Sequence, residues 1–314
     1  MPCVLAEGAK SQKKADCAVV FFSSHALGGA RTHYRMLSML SVDQPTVSLN
    51  AVRVPGIQER VSTCLGQDSA TWLKTSINHI GSALRGIYFG GSPQLYRLVV
   101  CPEKLASLKR SSVASSSGGQ QFVSTNDILT SCLSCRVGAA VTHMGLDLKR
   151  RFLDIRDDDV GNYEATVLLD FNSVKTPLAV RAAVQSIGER CALWDKSSDQ
   201  DAAGSSPKVG GTVLGRKKPL AVLPAWWKFM FTRHAKITNW VAVTKDLVLP
   251  GCQQVCHSPT CDDPAKMNSM LPYDLAVVFQ INPGQTGVAV MSRSYSKQEY
   301  VRALPVVDFG HDFE

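Results

Sequence analysis

The 314-residue chain is 45% apolar and 19% charged, the balance of a globular protein with material for one large domain or two ordinary ones, which excludes a disordered chain. Its strongest apolar runs, residues 17–22 and 275–281, fall short of the roughly 20 residues that span a bilayer, and residues 1–14 carry three lysines with no apolar signal core. The net charge of +8 is scattered without a nucleic-acid motif, so the chain reads as cytoplasmic, with no nucleic-acid partner and no membrane span.

In chain order, the first predicted unit is a buried strand at 18–24, a turn His25-Ala26-Leu27-Gly28-Gly29, and a helix over 30–40. Tyr34, Met36, Leu37 and Leu40 supply that helix with an apolar face. The paired glycines permit a tight turn and a close backbone approach. A helix over 69–84, a strand at 95–101 and a short helix opening at Pro102 follow. The Ser/Gly-rich stretch 111–121 has no periodicity and reads as a linker.

Beyond it, Ser124 and Asp127 stand in capping-box spacing before Ile128, Leu129, Cys132, Leu133 and Val137, which recur at helical intervals. Strands are expected at 146–155 and 167–171. A further helix starts at Thr176-Pro177, with proline at its first position, and stops at Gly188. Residues 196–211 read as a second flexible stretch and 223–232 as a helix. A hairpin closes the pattern: 274–281, the turn Asn282-Pro283-Gly284-Gln285, then 287–292. Strands and helices alternate without a strict βαβ rhythm, which predicts a mixed-sheet α/β protein.

Ten cysteines need a reading by spacing. Cys132 and Cys135 fall inside a predicted helix. Cys252, Cys256, His257 and Cys261 form a loose group, but no second ligand pair accompanies them, so reduced thiols are expected and no metal. A metal-binding module on those four residues is the alternative. The Arg216-Lys217-Lys218 cluster is either a solvated loop or a contact for a phosphorylated cofactor such as coenzyme A. His33 and His143 read as surface or packing residues.

Four segments, taken together, resemble the superfamily of coenzyme-A-dependent acyltransferases that includes chloramphenicol acetyltransferase, the BAHD enzymes and condensation domains. Ser23-Ser24-His25-Ala26-Leu27-Gly28-Gly29 looks like the family's His-x-x-x-Asp segment. The helix start Val123-Ser124-Thr125-Asn126-Asp127-Ile128-Leu129-Thr130 is similar to the one after the family's crossover. Leu153-Asp154-Ile155-Arg156, with Gly161-Asn162-Tyr163, resembles the "valine-aspartate-x-arginine … glycine-asparagine" stretch. Ile237-Thr238-Asn239-Trp240 looks like the strand lining the acceptor pocket.

The resemblance implies a chloramphenicol-acetyltransferase-like two-layer mixed-sheet sandwich. Residues 1–110 would be the remnant of the N-terminal subdomain, 111–122 the linker and 123–314 the C-terminal subdomain. Only seventeen residues precede Ala18, so that N-terminal domain is expected to be incomplete. The implied activity is acyl transfer from a thioester, with acyl-CoA as co-substrate and no permanently bound cofactor, to a small alcohol or amine. His25 would be the general base, and Thr238 and Trp240 would lie in the acceptor or oxyanion pocket. The family's aspartate four residues after the histidine is Gly29 here, which leaves Arg156 without its usual partner unless Asp157, Asp158 or Asp159 replaces it. A further motif of the plant branch, expected soon after the tryptophan strand, is absent there. The alternative is a catalytically impaired relative that binds an acyl ligand or a protein.

Overall fold

The computed structural model describes residues 19–24, 27–65, 84, 88, 91–114, 122–201, 223, 233–252, 254, 256–259 and 274–309. Helices α1 (Ala30–Ser38) and α2 (Ile57–Leu65) precede strand β1 (Gln94–Val100) and helix α3 (Pro102–Ala114). Helix α4 (Thr125–Val137), strands β2 (Ala139–Asp147) and β3 (Glu164–Asp170), and helices α5 (Phe171–Val174) and α6 (Pro177–Asp201) follow. Strands β4 (Arg233–Asn239), β5 (Asp274–Asn282) and β6 (Gln285–Ser292), helix α7 (Lys297–Ala303) and strand β7 (Val306–Asp308) complete the order.

The strands form one seven-stranded mixed sheet in the order β3-β2-β4-β5-β6-β1-β7. The β2–β4 and β4–β5 pairs are parallel and the others antiparallel. Alternation along each strand gives the sheet two different faces. Met144, Leu146, Val167, Leu169, Ile237, Val278, Val290 and Leu98 belong to one core with Leu129, Leu133 and Val137 of α4 and Val180 and Ile187 of α6. The fold is therefore a two-layer, mixed α/β arrangement. The opposite face carries Leu275, Val277, Phe279, Ile281, Ala289 and Met291 as a second apolar cluster, with Trp240 packed against it.

Helix α4 begins as the sequence predicts. Ser124 Oγ accepts the Asp127 amide, and the Asp127 carboxylate accepts the Ser124 amide at 2.7 Å. Gly138 ends the helix with φ 63°, a conformation that favours glycine. The C-terminal hairpin is also observed, with Gly284 at φ 81° in its turn.

Four expectations are corrected. The strand placed at 146–155 runs over 139–147 instead, because the Asp147 carboxylate accepts the Lys149 amide and turns the chain into a 3-10 helix, Leu148–Arg150. Lys149 then reaches the Asp157 and Asp159 carbonyls, drawing the following loop back on itself. The helix opening at Pro177 does not stop at Gly188 but continues to Asp201. Gly188 faces Arg151, whose Nη1 would lie 2.8 Å from an added Cβ, so this glycine makes room for a neighbour. The helix at Pro102 covers 13 residues and takes in part of the expected linker. Residues 19–24 form no strand, because no ladder partner pairs with them among the described residues; Val20 and Phe22 are exposed. Most of the helix expected at 69–84 lies outside the described residues. So do residues 224–232, the cluster Arg216-Lys217-Lys218, and Cys261.

Candidate functional site

Next to the first motif's histidine, the Leu27 amide donates to the Ser24 carbonyl at 2.9 Å. His25 itself lies outside the described residues. From Leu27 onward the segment is anchored to the start of β3 and the loop before it. The Gly29 amide donates to the Gly161 carbonyl, Thr32 Oγ1 donates to the same carbonyl at 3.1 Å, and the Ala30 amide donates to Glu164 Oε1 at 2.5 Å. Arg31 donates through Nε and Nη2 to Asp147 Oδ2 and through Nη1 to Asp157. The start of α1 is thus fixed by six polar contacts to chain more than a hundred residues away. A small cleft remains between Gly29, Arg31, Asp147, Lys149, Gly161 and Glu164.

The sheet face opposite the α4–α6 layer bears polar groups toward the β3 edge. Pairing places Glu164 opposite Asp147, Thr166 opposite Gly145, and Lys236 beside His143. Gly145 gives the Thr238 side chain its room, since Thr238 Oγ1 lies only 2.9 Å from where a Cβ on residue 145 would stand. Burial pushes the Lys236 ammonium below the ordinary lysine range, against the opposing pull of the Glu164 carboxylate. His143 and His234 are both buried, with His143 Nε2 and His234 Nδ1 3.3 Å apart.

Further along the same face, α1 docks through Tyr34. Its ring meets Trp240 edge-on at 6.2 Å between centroids, and its hydroxyl lies 3.0 Å from His257 Nε2. His257 Nδ1 lies 2.8 Å from the Gln280 carbonyl on β5. That carbonyl only accepts, so the neutral ring carries its proton on Nδ1 and Nε2 accepts from the Tyr34 hydroxyl. Burial raises the Tyr34 phenol to about 12 and lowers His257 below the usual imidazole value. His33, one residue earlier, is lowered by burial and then by the nearby His257, and its Nδ1 lies 2.6 Å from Ser23 Oγ.

Of the residues singled out in the sequence, Gly29, Thr238 and Trp240 come to this one face of the sheet. Gly29 reaches it through Glu164, Thr238 through Gly145, and Trp240 through Tyr34. Arg156 does not join them. Its guanidinium is largely exposed and pairs with Asp158 at 3.2 Å, while its amide donates to Asp159 Oδ2. His143 packs in the sheet interior, whereas His33 is half-buried beside the Phe21 ring. The sequence motifs give no role to Glu164, Lys236 or Tyr34, and His257 enters them only as a ligand of the alternative metal-binding group. Only a strict two-residue alternation from Thr238 back to Lys236 offered a signal. Among the described residues, no group of three or more metal-ligating side chains is gathered, and both nitrogens of His257 are engaged. Among them too, no helix is long and apolar enough to cross a membrane.

No family model and no curated protein matches the chain. Solved structures do. TRI101 of F. sporotrichioides, complexed with coenzyme A and T-2, is similar at 13% identity over 68% of this chain and 49% of that one, with a TM-score of 0.37. Vinorine synthase is similar at 13% identity over 69% and 48%, with a TM-score of 0.39. The first condensation domain of the CDA synthetase is similar at 10% identity over 88% and 58%, with a TM-score of 0.33. The chain spans about half the length of the first of these.

Proposed function

We propose that the chain transfers an acyl group from a thioester, acyl-CoA in the first instance, to the hydroxyl or amine of a small acceptor, with His25 as general base. An alcohol or amine is a weak nucleophile near neutral pH. The imidazole removes its proton as it attacks the thioester carbonyl, an effect worth about 10²–10⁴-fold. The tetrahedral adduct collapses, the C–S bond breaks, and the thiolate leaves with the proton that the imidazole returns. No covalent enzyme intermediate is needed, and no bound cofactor or metal takes part. The negative charge on the carbonyl oxygen calls for donors, and stabilisation of this kind is commonly the largest single contribution to rate. Thr238 is assigned to that pocket with Trp240, and Lys236 stands two residues before Thr238 on the same strand.

The observation that supports the reading is convergence. Gly29, Thr238 and Trp240 come from segments about two hundred residues apart and were picked out by motif alone. They lie toward one face of the sheet, Gly29 beside Glu164, Thr238 beside Gly145 and Trp240 beside Tyr34. The test is thiol release from acetyl-CoA with small alcohols and amines as acceptors, comparing the wild type with His25→Ala. A loss of at least about 10²-fold in the variant is expected. Equal rates, or no turnover in either protein, would end the enzyme reading.

A second reading, a non-catalytic module that binds an acyl ligand or a protein, draws on the exposed Val20, Phe22 and Leu27 around the turn. It predicts retention of an acyl thioester or a protein partner with no turnover.

A further inference from the structure

The backbone does not demand glycine at position 29. With φ −78° and ψ −174°, its conformation is open to any residue. Space is what forbids a side chain there. A Cβ on residue 29 would run into the Glu164 side chain, whose carboxylate carbon Cδ stands 2.6 Å from that point. The same carboxylate accepts the Ala30 amide at 2.5 Å. Helix α1 has no side-chain cap of its own and no acidic residue in its first turn, so its N-terminal amides and dipole take their anion from another strand.

We propose that Glu164 is a positioning residue for the candidate site, reaching from β3 to hold Gly29 and Ala30 at the start of α1, which follows the His25 segment in the chain. It does from across the sheet what an acidic N-cap at position 29 would do from within the turn. The two positions form one exchange: residue 164 supplies the carboxylate that residue 29 lacks, and it fills the space that a side chain at 29 would need. The Gly29 amide, bound to the Gly161 carbonyl two residues before Tyr163, ties the turn to the same approach to β3. The catalytic consequence rests on the acyl-transfer reading; the structural one does not.

The test moves the carboxylate. Four full-length proteins are compared: wild type, Gly29→Asp, Glu164→Ala and the double variant. Glu164→Ser, which vacates the same space, stands in should Glu164→Ala not fold. Aspartate is a favoured N-cap residue, so at position 29 it can serve α1 once the space at 164 is vacated. Amide exchange over residues 30–34 should rise about tenfold or more in each single variant and return to within about threefold of wild type in the double one, because coupled neighbours are not additive. With acetyl-CoA and 1-butanol, each single variant should lose about 10²-fold in kcat at little change in KM for acetyl-CoA, the mark of a misplaced group, and the double variant should regain most of it. A double variant as impaired as the worse single one overturns the proposal. So does wild-type exchange in Glu164→Ala. If no protein of the set turns acetyl-CoA over, the acyl-transfer reading falls, and the exchange measurements still decide the role of Glu164.

Discussion

Gly145 lies in the middle of β2 with the Thr238 side chain over it, Oγ1 at 2.9 Å and Cβ at 3.3 Å from where its own Cβ would be. Glycine inside a strand costs conformational entropy, so its presence needs a reason, and the close approach of Thr238 is one. Gly145→Ala should therefore cost about 1–3 kcal/mol by overpacking. Removing the offending atoms in Gly145→Ala/Thr238→Ala should recover much of that loss. Urea unfolding of the two singles and the double variant measures the coupling, and strict additivity would show that the two residues do not press on each other. Residue by residue, the site is legible in the sequence only where a motif is local. Gly29, Thr238 and Trp240 stand in short recognisable strings. Glu164 and His257 act through partners 134 and 223 positions away, Ala30 and Tyr34, and no local pattern records such contacts.

Among the elements, α4 is the one the sequence marks most plainly, because its cap is chemistry between residues three apart. Ser124 and Asp127 exchange backbone and side-chain hydrogen bonds, and Arg181 of α6 adds two donors to the buried Asp127 carboxylate, at 2.8 and 2.5 Å. The two residues should differ in weight. Ser124→Ala removes one acceptor and should cost about 1 kcal/mol. Asp127→Ala also strands the Arg181 guanidinium against the helix, and should cost about 3 kcal/mol or more. Denaturant midpoints measure both; a smaller loss for Asp127→Ala than for Ser124→Ala would refute the account. Helix α6 is the contrasting case. Gly188 looks like a stop by its type, yet Ile187 and Cys191 are buried on either side of it and hold the helix against the sheet. Tertiary packing overrides the local preference there, and sequence carries no sign of Arg151 filling the space. Strand β2 is misjudged for a similar reason, since its end is set by Asp147 capping the next turn rather than by hydrophobic alternation.

At the level of the whole molecule, the α/β class and the C-terminal hairpin follow from alternation and turn chemistry, whereas the strand order does not. β1 enters the sheet between β6 and β7, and two parallel pairs join β2, β4 and β5 across long stretches of chain. Such pairings are chosen by which faces bury well together, a property of the assembled sheet. The docking of α1 on the face opposite the main helices is of this kind, and it is sensitive to protons. Tyr34 is buried and donates to His257, which in turn donates to β5. His257 and His33 both have folded-state values below the ordinary 6.5, chiefly through burial. A depressed value means that the unfolded chain takes up the proton first as pH falls. Stability is therefore full above about 6.5 and drains as pH drops from there toward the lower folded-state values. Urea midpoints taken at pH 7.5 and 5.5 should show this fall, in a window above the ordinary carboxylate range. His257→Gln, which cannot be charged, should be less stable at pH 7.5 but lose less on acidification, and the protection of the α1 amides, taken relative to the intrinsic exchange rate at each pH, should fall over the same interval in the wild type alone. A midpoint that holds or rises on acidification would mean that the Tyr34–His257 bridge does not hold α1 to the sheet.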